Sequence, residues 1–362
     1  MRFVLWMVKR VIPLYLLAGV SLAIGAGPQD ESGGLNGQLQ FNCDEAECVL
    51  AIVAKNHSGM KIEQSDWQRL FASEPYVRLK KREAEIGLMF KAPERALTDE
   101  KFREFVLGAE LGQRAADLRR VLQEWKETDI NAIAKRILVY LPVDARIKAK
   151  IYPVIKPMGN SFVYEVNTDP AIFLYLDPQR SREQFENTVA HELHHIGFAS
   201  IESRLKEPSA AATTELTAAV KWLGAFGEGF AMLAAAGGPD ADPHQYSPEA
   251  DRVRWQKDLA NFNDDLGKVE KFFLDVLAGR FESQEKIDQT GFSFFGVQGP
   301  WYTVGYKMAM MVEKYAGRAM LIRCMEEPRL LLQEYNRLAA MENKGGAKLA
   351  LWSPELLAKI GI

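Results

Sequence analysis

The stretch Thr188-Val-Ala-His-Glu-Leu-His-His-Ile-Gly197 decides how the rest of the chain is read. It holds His191-Glu192-Leu193-His194-His195, an H-E-x-x-H pattern. On a helix, residues four apart share one face, about one turn from each other. His191 and His195 can therefore aim two imidazoles at one metal ion. Glu192, offset by one residue, reaches a water at that point. Two neutral nitrogen ligands, an open position and a nearby base are what a zinc hydrolase requires. Histidine is scarce, five in 362 residues, so the motif is specific. A bland alternative is a polar face on a surface helix. Phe185, Val189, Leu193 and Ile196 argue against it, because they recur at helical spacing and would bury one face.

Working outward, hydrophobic residues make up 48% of the chain, enough for a sizeable core in one to three domains. Charge is mixed and the net value is −3. No basic block with interleaved aromatics appears, so a nucleic-acid partner is not expected. Residues 1–25 read as an export signal. Arg2, Lys9 and Arg10 precede an uncharged apolar run, and Ala23-Ile24-Gly25 offers a cleavage site before Ala26. The run is about fifteen residues and contains Pro13, short for a membrane span. No stable span is expected after cleavage, and the mature chain is placed outside the cytoplasm, periplasmic or secreted. Removing the signal deletes three positive charges and moves the net charge from −3 to −6. Residues 26–37 read as a flexible leader.

Residues 38–145 read as a helical N-terminal subdomain, integrated with a catalytic region over 146–362. Tyr76 to Leu88 is an amphipathic helix, and Thr98 opens a long one running past Trp125. Three strands follow at Lys148–Ile155, Ser161–Val166 and Ala171–Leu176. The turn Pro157-Met-Gly-Asn160 suggests a hairpin between the first two. Ser181 and Gln184 offer a capping box for the motif helix. Beyond the motif, Thr213 to Leu223, Glu249 to Phe281 and Trp301 to Ala316 read as helices. The fold class is α+β, predominantly helical, with a small sheet before the motif helix. His57 and His244 read as surface residues. Cys43, Cys48 and Cys324 do not suggest a metal site. A Cys43–Cys48 disulfide and three free thiols are equally compatible with the spacing.

A zinc site needs a third protein ligand. The extended pattern with a later third His is absent, since position 198 is Phe and position 201 is Ile. A Glu on a later helix is the remaining common solution, and Glu215 and Glu228 are the candidates. Glu215 sits in a Thr/Ala-rich polar turn and fits a capping role better. Glu228 lies between Gly227 and Gly229 and opens an apolar stretch, where a metal would match its charge. Glu228 is preferred. Tyr302 and Tyr306, four apart beside Gly305, are candidate donors to an oxyanion, and His194 is a weaker one.

Ala190-His-Glu-Leu-His-His195, Gly227-Glu-Gly-Phe-Ala231 and Tyr302-Thr-Val-Gly-Tyr-Lys-Met-Ala309 occur in this order. Together they resemble a bacterial family of zinc-dependent peptidases, classed as a domain of unknown function within the Glu-ligand zincins (gluzincins). Trp67-x-x-Leu-Phe71 and Tyr76-x-x-Leu-Lys-Lys-Arg-Glu83 also resemble it, so the similarity spans most of the mature chain. The resemblance implies one Zn2+ held by His191, His195 and Glu228, with Glu192 as general base. The expected partner is a peptide or protein substrate. One departure is notable. Thermolysin-type enzymes carry an acidic residue four positions after the third ligand, orienting a zinc histidine; here that position is Met232. A competing reading is a non-catalytic metal-binding or scaffolding protein of the cell envelope, which would not need Glu192.

Overall fold

The computed structural model describes residues 38–89, 92, 94, 96–202 and 213–362. The expected export signal and leader lie outside the described residues. The chain is α+β and mostly helical, with one four-stranded sheet. It forms two compact units. One contains the described residues up to Asn131 together with Lys148–Glu186; the other contains Ala132–Ile147 and Asn187–Ile362.

The first unit holds β1 (Leu39–Phe41), α1 (Asp44–His57), α2 (Gln64–Ala72), α3 (Glu74–Met89), α4 (Asp99–Val106) and α5 (Ala109–Lys126). After α6 (Ile130–Leu138), the chain adds β2 (Ala149–Val154), β3 (Phe162–Tyr164) and β4 (Ala171–Tyr175). Thr98 caps α4 by accepting from the Lys101 N–H. The long helix expected from Thr98 is in fact two, because Gly108 adopts an extended conformation before α5. The strand order is β1-β2-β4-β3. β2 runs parallel to both β1 and β4, and β3 is antiparallel to β4.

The hairpin expected between β2 and β3 is therefore corrected: the hairpin joins β3 and β4. Burial explains the order. β2 and β4 are apolar runs buried almost throughout, which suits two adjacent central strands, and the three-residue β3 is left at an edge. The turn between β3 and β4 closes through Glu165, whose carbonyl accepts the N–H groups of Thr168 and Asp169.

The motif lies on α7 (Arg182–Ala199). Its start is fixed by the expected capping box: the Ser181 N–H donates to Gln184 Oε1 at 2.8 Å, and the Gln184 N–H donates to Ser181 Oγ at 3.3 Å. Phe185, within the first unit, stacks on Trp125 at 4.5 Å and meets Phe41 edge-on. The motif itself belongs to the second unit. There Gly197 permits close packing, since a Cβ would come within 2.2 Å of the Leu141 side chain.

The second unit continues through α8 (Thr214–Leu223), α9 (Gly227–Ala236), α10 (Glu249–Ala260), α11 (Phe262–Leu277) and α12 (Gln284–Ser293). It ends with α13 (Pro300–Ala316), α14 (Arg318–Glu326), α15 (Pro328–Lys344) and α16 (Pro354–Ile360). The single helix expected over 249–281 divides at Asn261 and stops before Phe281. Trp222, Phe226, Phe272, Phe273 and Trp301 form an aromatic core. Gly291 lies against it, where a Cβ would come within 2.4 Å of the Trp222 indole.

All three cysteines are buried and free, so the Cys43–Cys48 pair is not bridged. Burial pushes the Cys43 and Cys324 thiols up to about 12. No helix among the described residues is long and apolar enough to cross a membrane.

Candidate metal centre

The helical period of α7 does what its sequence requires. Phe185, Val189, Leu193 and Ile196 are buried on one side of the helix, and His191 and the buried His195 sit together one turn apart. Their Nε2 atoms lie 3.0 Å from each other. Glu228, in the first turn of α9, brings Oε2 to 3.2 Å from His191 Nε2 and 3.4 Å from His195 Nε2. Among the described residues these three form the group able to hold a metal ion, with all ligand atoms within 4.8 Å of one another. Glu215, in the first turn of α8, is not part of it.

The donor set fits zinc. Tetrahedral ligands about 2.0–2.1 Å from a zinc ion stand roughly 3.3 Å apart, and the three observed separations bracket that value. Two imidazole nitrogens and one carboxylate are also a recognised zinc donor set. Glu228 is 3% exposed, and a buried carboxylate requires a positive partner.

Electrostatics in the cluster are strongly coupled. Burial alone would push the Glu228 carboxyl up, but His195 and His191 outweigh it and hold it well below the usual carboxylate range. Burial alone would lower His191, but the Glu228 carboxylate outweighs it and raises the imidazole. Burial raises Glu192, helped by Glu228 and opposed by His191 and His195. His194 is buried, with neither ring nitrogen hydrogen-bonded; burial and the two neighbouring imidazoles hold it neutral.

The two candidate tyrosines part company. Tyr302 is buried, and its phenol is raised well above the ordinary range, first by burial, then by the nearby Glu228 carboxylate and by Glu192. Tyr306 instead donates its O–H to the Ala241 carbonyl at 3.2 Å and meets Trp255 edge-on. Only Tyr302 thus has its hydroxyl at the cluster. The approach of α13 to α9 depends on glycines, since a Cβ on Gly305 would come within 2.8 Å of the Phe226 carbonyl oxygen. Met232 is buried in α9 and brings no charge to the site.

Two residues near α13 escaped sequence reasoning. His244, expected at the surface, is 6% exposed and packs beside Trp255. Gln298 takes a left-handed backbone at φ 61°. The flanking glycines at 296 and 299 were the one available signal of a tight turn there.

A mostly helical α+β chain thus brings a His/His/Glu cluster together on two helices as a candidate metal-binding group. A family described as "Putative zinc dependent peptidase", a domain of unknown function, matches residues 67–344. The chain belongs to that family. No curated protein and no solved structure matches it.

Proposed function

We propose that the chain is an exported zinc-dependent peptidase of the Glu-ligand zincin type, acting on a peptide or protein substrate. The convergence of His191, His195 and Glu228 beside Glu192 carries this reading. A zinc ion held by those three residues supplies Lewis acidity, which acidifies water and polarises a carbonyl. Glu192 takes the proton of the attacking water and delivers it to the leaving amine. Tyr302 stays protonated and donates its O–H to the oxyanion that develops on the scissile carbonyl. The non-catalytic alternative leaves Glu192 without a task. Arg2, Lys9, Arg10 and the apolar run after them support export.

The test combines metal analysis with a peptide-library digest of the purified chain. About one zinc per chain is expected, retained in Glu215→Ala and lost in Glu228→Ala, with hydrolysis of library peptides by the zinc-loaded protein. Zinc lost only in Glu215→Ala would overturn the ligand set. A zinc-loaded chain that cleaves nothing would overturn the peptidase reading and leave a metal-binding protein.

A further inference from the structure

His244 takes no part in the reaction described above, yet it is buried and fully engaged. Its Nδ1 lies 3.0 Å from Ser247 Oγ, and its Nε2 lies 3.0 Å from the Gln298 side-chain nitrogen. Arg254 donates to Gln298 Oε1 at 3.3 Å, which fixes the orientation of that amide. The amide nitrogen can only donate, so Nε2 of His244 accepts. The proton therefore sits on Nδ1 and is donated to Ser247. The imidazole also lies 5.1 Å from the Trp255 ring, which meets Tyr306 of α13 at 5.4 Å.

Gln298 is one of two non-glycine residues with positive φ among the described residues. A side chain in that conformation strains the backbone, and glycine would relieve it. A glutamine there is explained by what its amide holds. Pro300, two residues on, begins α13, and Tyr302 lies in the first turn of that helix. The pinned segment thus leads directly into Tyr302, whose phenol lies close enough to Glu228 to feel its charge.

We propose that His244 and Gln298 act as a pin, a pair of positioning residues that fix the start of α13 and so hold Tyr302 against Glu228. The inference rests on the zinc-site reading. The Ser247–His244–Gln298–Arg254 chain tethers the segment before α13 to α10 and the loop preceding it. The Tyr306 bond to Ala241 ties the second turn of α13 to the same loop. Between these two fixed points lies Tyr302. With the pin removed, the phenol loses its fixed place near the ligand carboxylate, and the carboxylate loses a neighbour that orders it.

The test reads zinc affinity by competition with a chromophoric chelator, alongside thermal unfolding, and needs no substrate. Tyr302→Phe, Gln298→Gly, His244→Phe and the Gln298→Gly/Tyr302→Phe double variant are compared with the wild type. Tyr302→Phe, Gln298→Gly and His244→Phe should each weaken zinc about tenfold, the scale seen when a residue orienting a metal ligand is lost. The double variant should be no weaker than its weaker parent, because both changes remove one function. Gln298→Gly should unfold within about 4 °C of the wild type, since relief of strain offsets the lost amide bonds. His244→Phe keeps the ring beside Trp255 and removes the acceptor, so it reads the pin independently. Wild-type zinc affinity in both Gln298→Gly and His244→Phe, with Tyr302→Phe weakened, would overturn the pin alone. Multiplying effects in the double variant would overturn it as well. Unchanged affinity in Tyr302→Phe would leave the pin nothing to position and overturn it. A wild type that holds no zinc would instead bring down the metal-site reading, and the pin with it.

Discussion

Gly229 of α9 meets Gly305 of α13 backbone to backbone. A Cβ on Gly229 would lie 2.0 Å from the Tyr306 nitrogen and 2.1 Å from the Gly305 carbonyl carbon. No side chain fits there, and backbone atoms cannot rotate aside. This contact sets how closely Glu228 and Tyr302, carried on the same two helices, approach each other.

Gly229→Ala should therefore cost about 3 kcal/mol of stability through overpacking, and the zinc site should loosen with it. Urea unfolding measures the first and chelator competition the second. Stability within about 0.5 kcal/mol of the wild type would mean that the helices do not meet this closely.

Glu192→Gln keeps size and hydrogen bonding but cannot take a proton. Zinc content should stay at the wild-type level while peptide hydrolysis falls about 10²–10⁴-fold, the range for losing a general base. Undiminished hydrolysis would remove Glu192 from the reaction. Loss of zinc would give it a role in holding the metal instead.

The tyrosines should separate cleanly. Tyr302→Phe should lower turnover about 100-fold, as for loss of one oxyanion donor, with little change in unfolding. Tyr306→Phe deletes the bond to Ala241 and should cost about 1 kcal/mol of stability, with a much smaller loss of turnover than Tyr302→Phe. The reverse pattern would exchange their roles.

Glu45 gives a pH signature in the sheet-bearing unit. It is buried and accepts the Ile155 N–H at 2.9 Å. Burial pushes its carboxyl up to about 8, against the opposing pull of that bond and of Lys156. In the unfolded chain it titrates near 4.5. Between those values the folded protein keeps a proton that the unfolded chain has released. Stability from this group is thus full below about pH 4.5 and is lost as pH rises towards 8, by up to roughly 4 kcal/mol. Glu45→Gln keeps the acceptor and cannot ionise. The variant should match the wild type near pH 4.5 and exceed it at pH 8 in urea unfolding. Lys156, lowered to about 7 by burial, is coupled to Glu45 and titrates in the same window, so its response enters the difference as well. A difference that stays flat across the window would show that Glu45 ionises without penalty.

Much of this was legible because short-range periodicity carried it. The four-residue spacing of His191 and His195 and the apolar stripe beneath them placed the motif on a packed helix. The Ser181–Gln184 cap could be read from residue types alone. Glu228 stood out because glycines flank a carboxylate in an apolar run. Strand order was not legible, since pairing depends on which runs are buried on both faces. Neither was the break at Asn261, where no glycine or proline interrupts the helical pattern. The difference between Tyr302 and Tyr306 was also hidden, because it turns on the Ala241 carbonyl in a distant loop. His244 was misread for a similar reason: its partner Gln298 lies 54 residues away.

The three buried, unbridged thiols have a practical consequence. No oxidant is needed to complete this fold. The same native chain should form in a reducing or an oxidising compartment. Its maturation would then not depend on a thiol oxidase, and neither would its recombinant production.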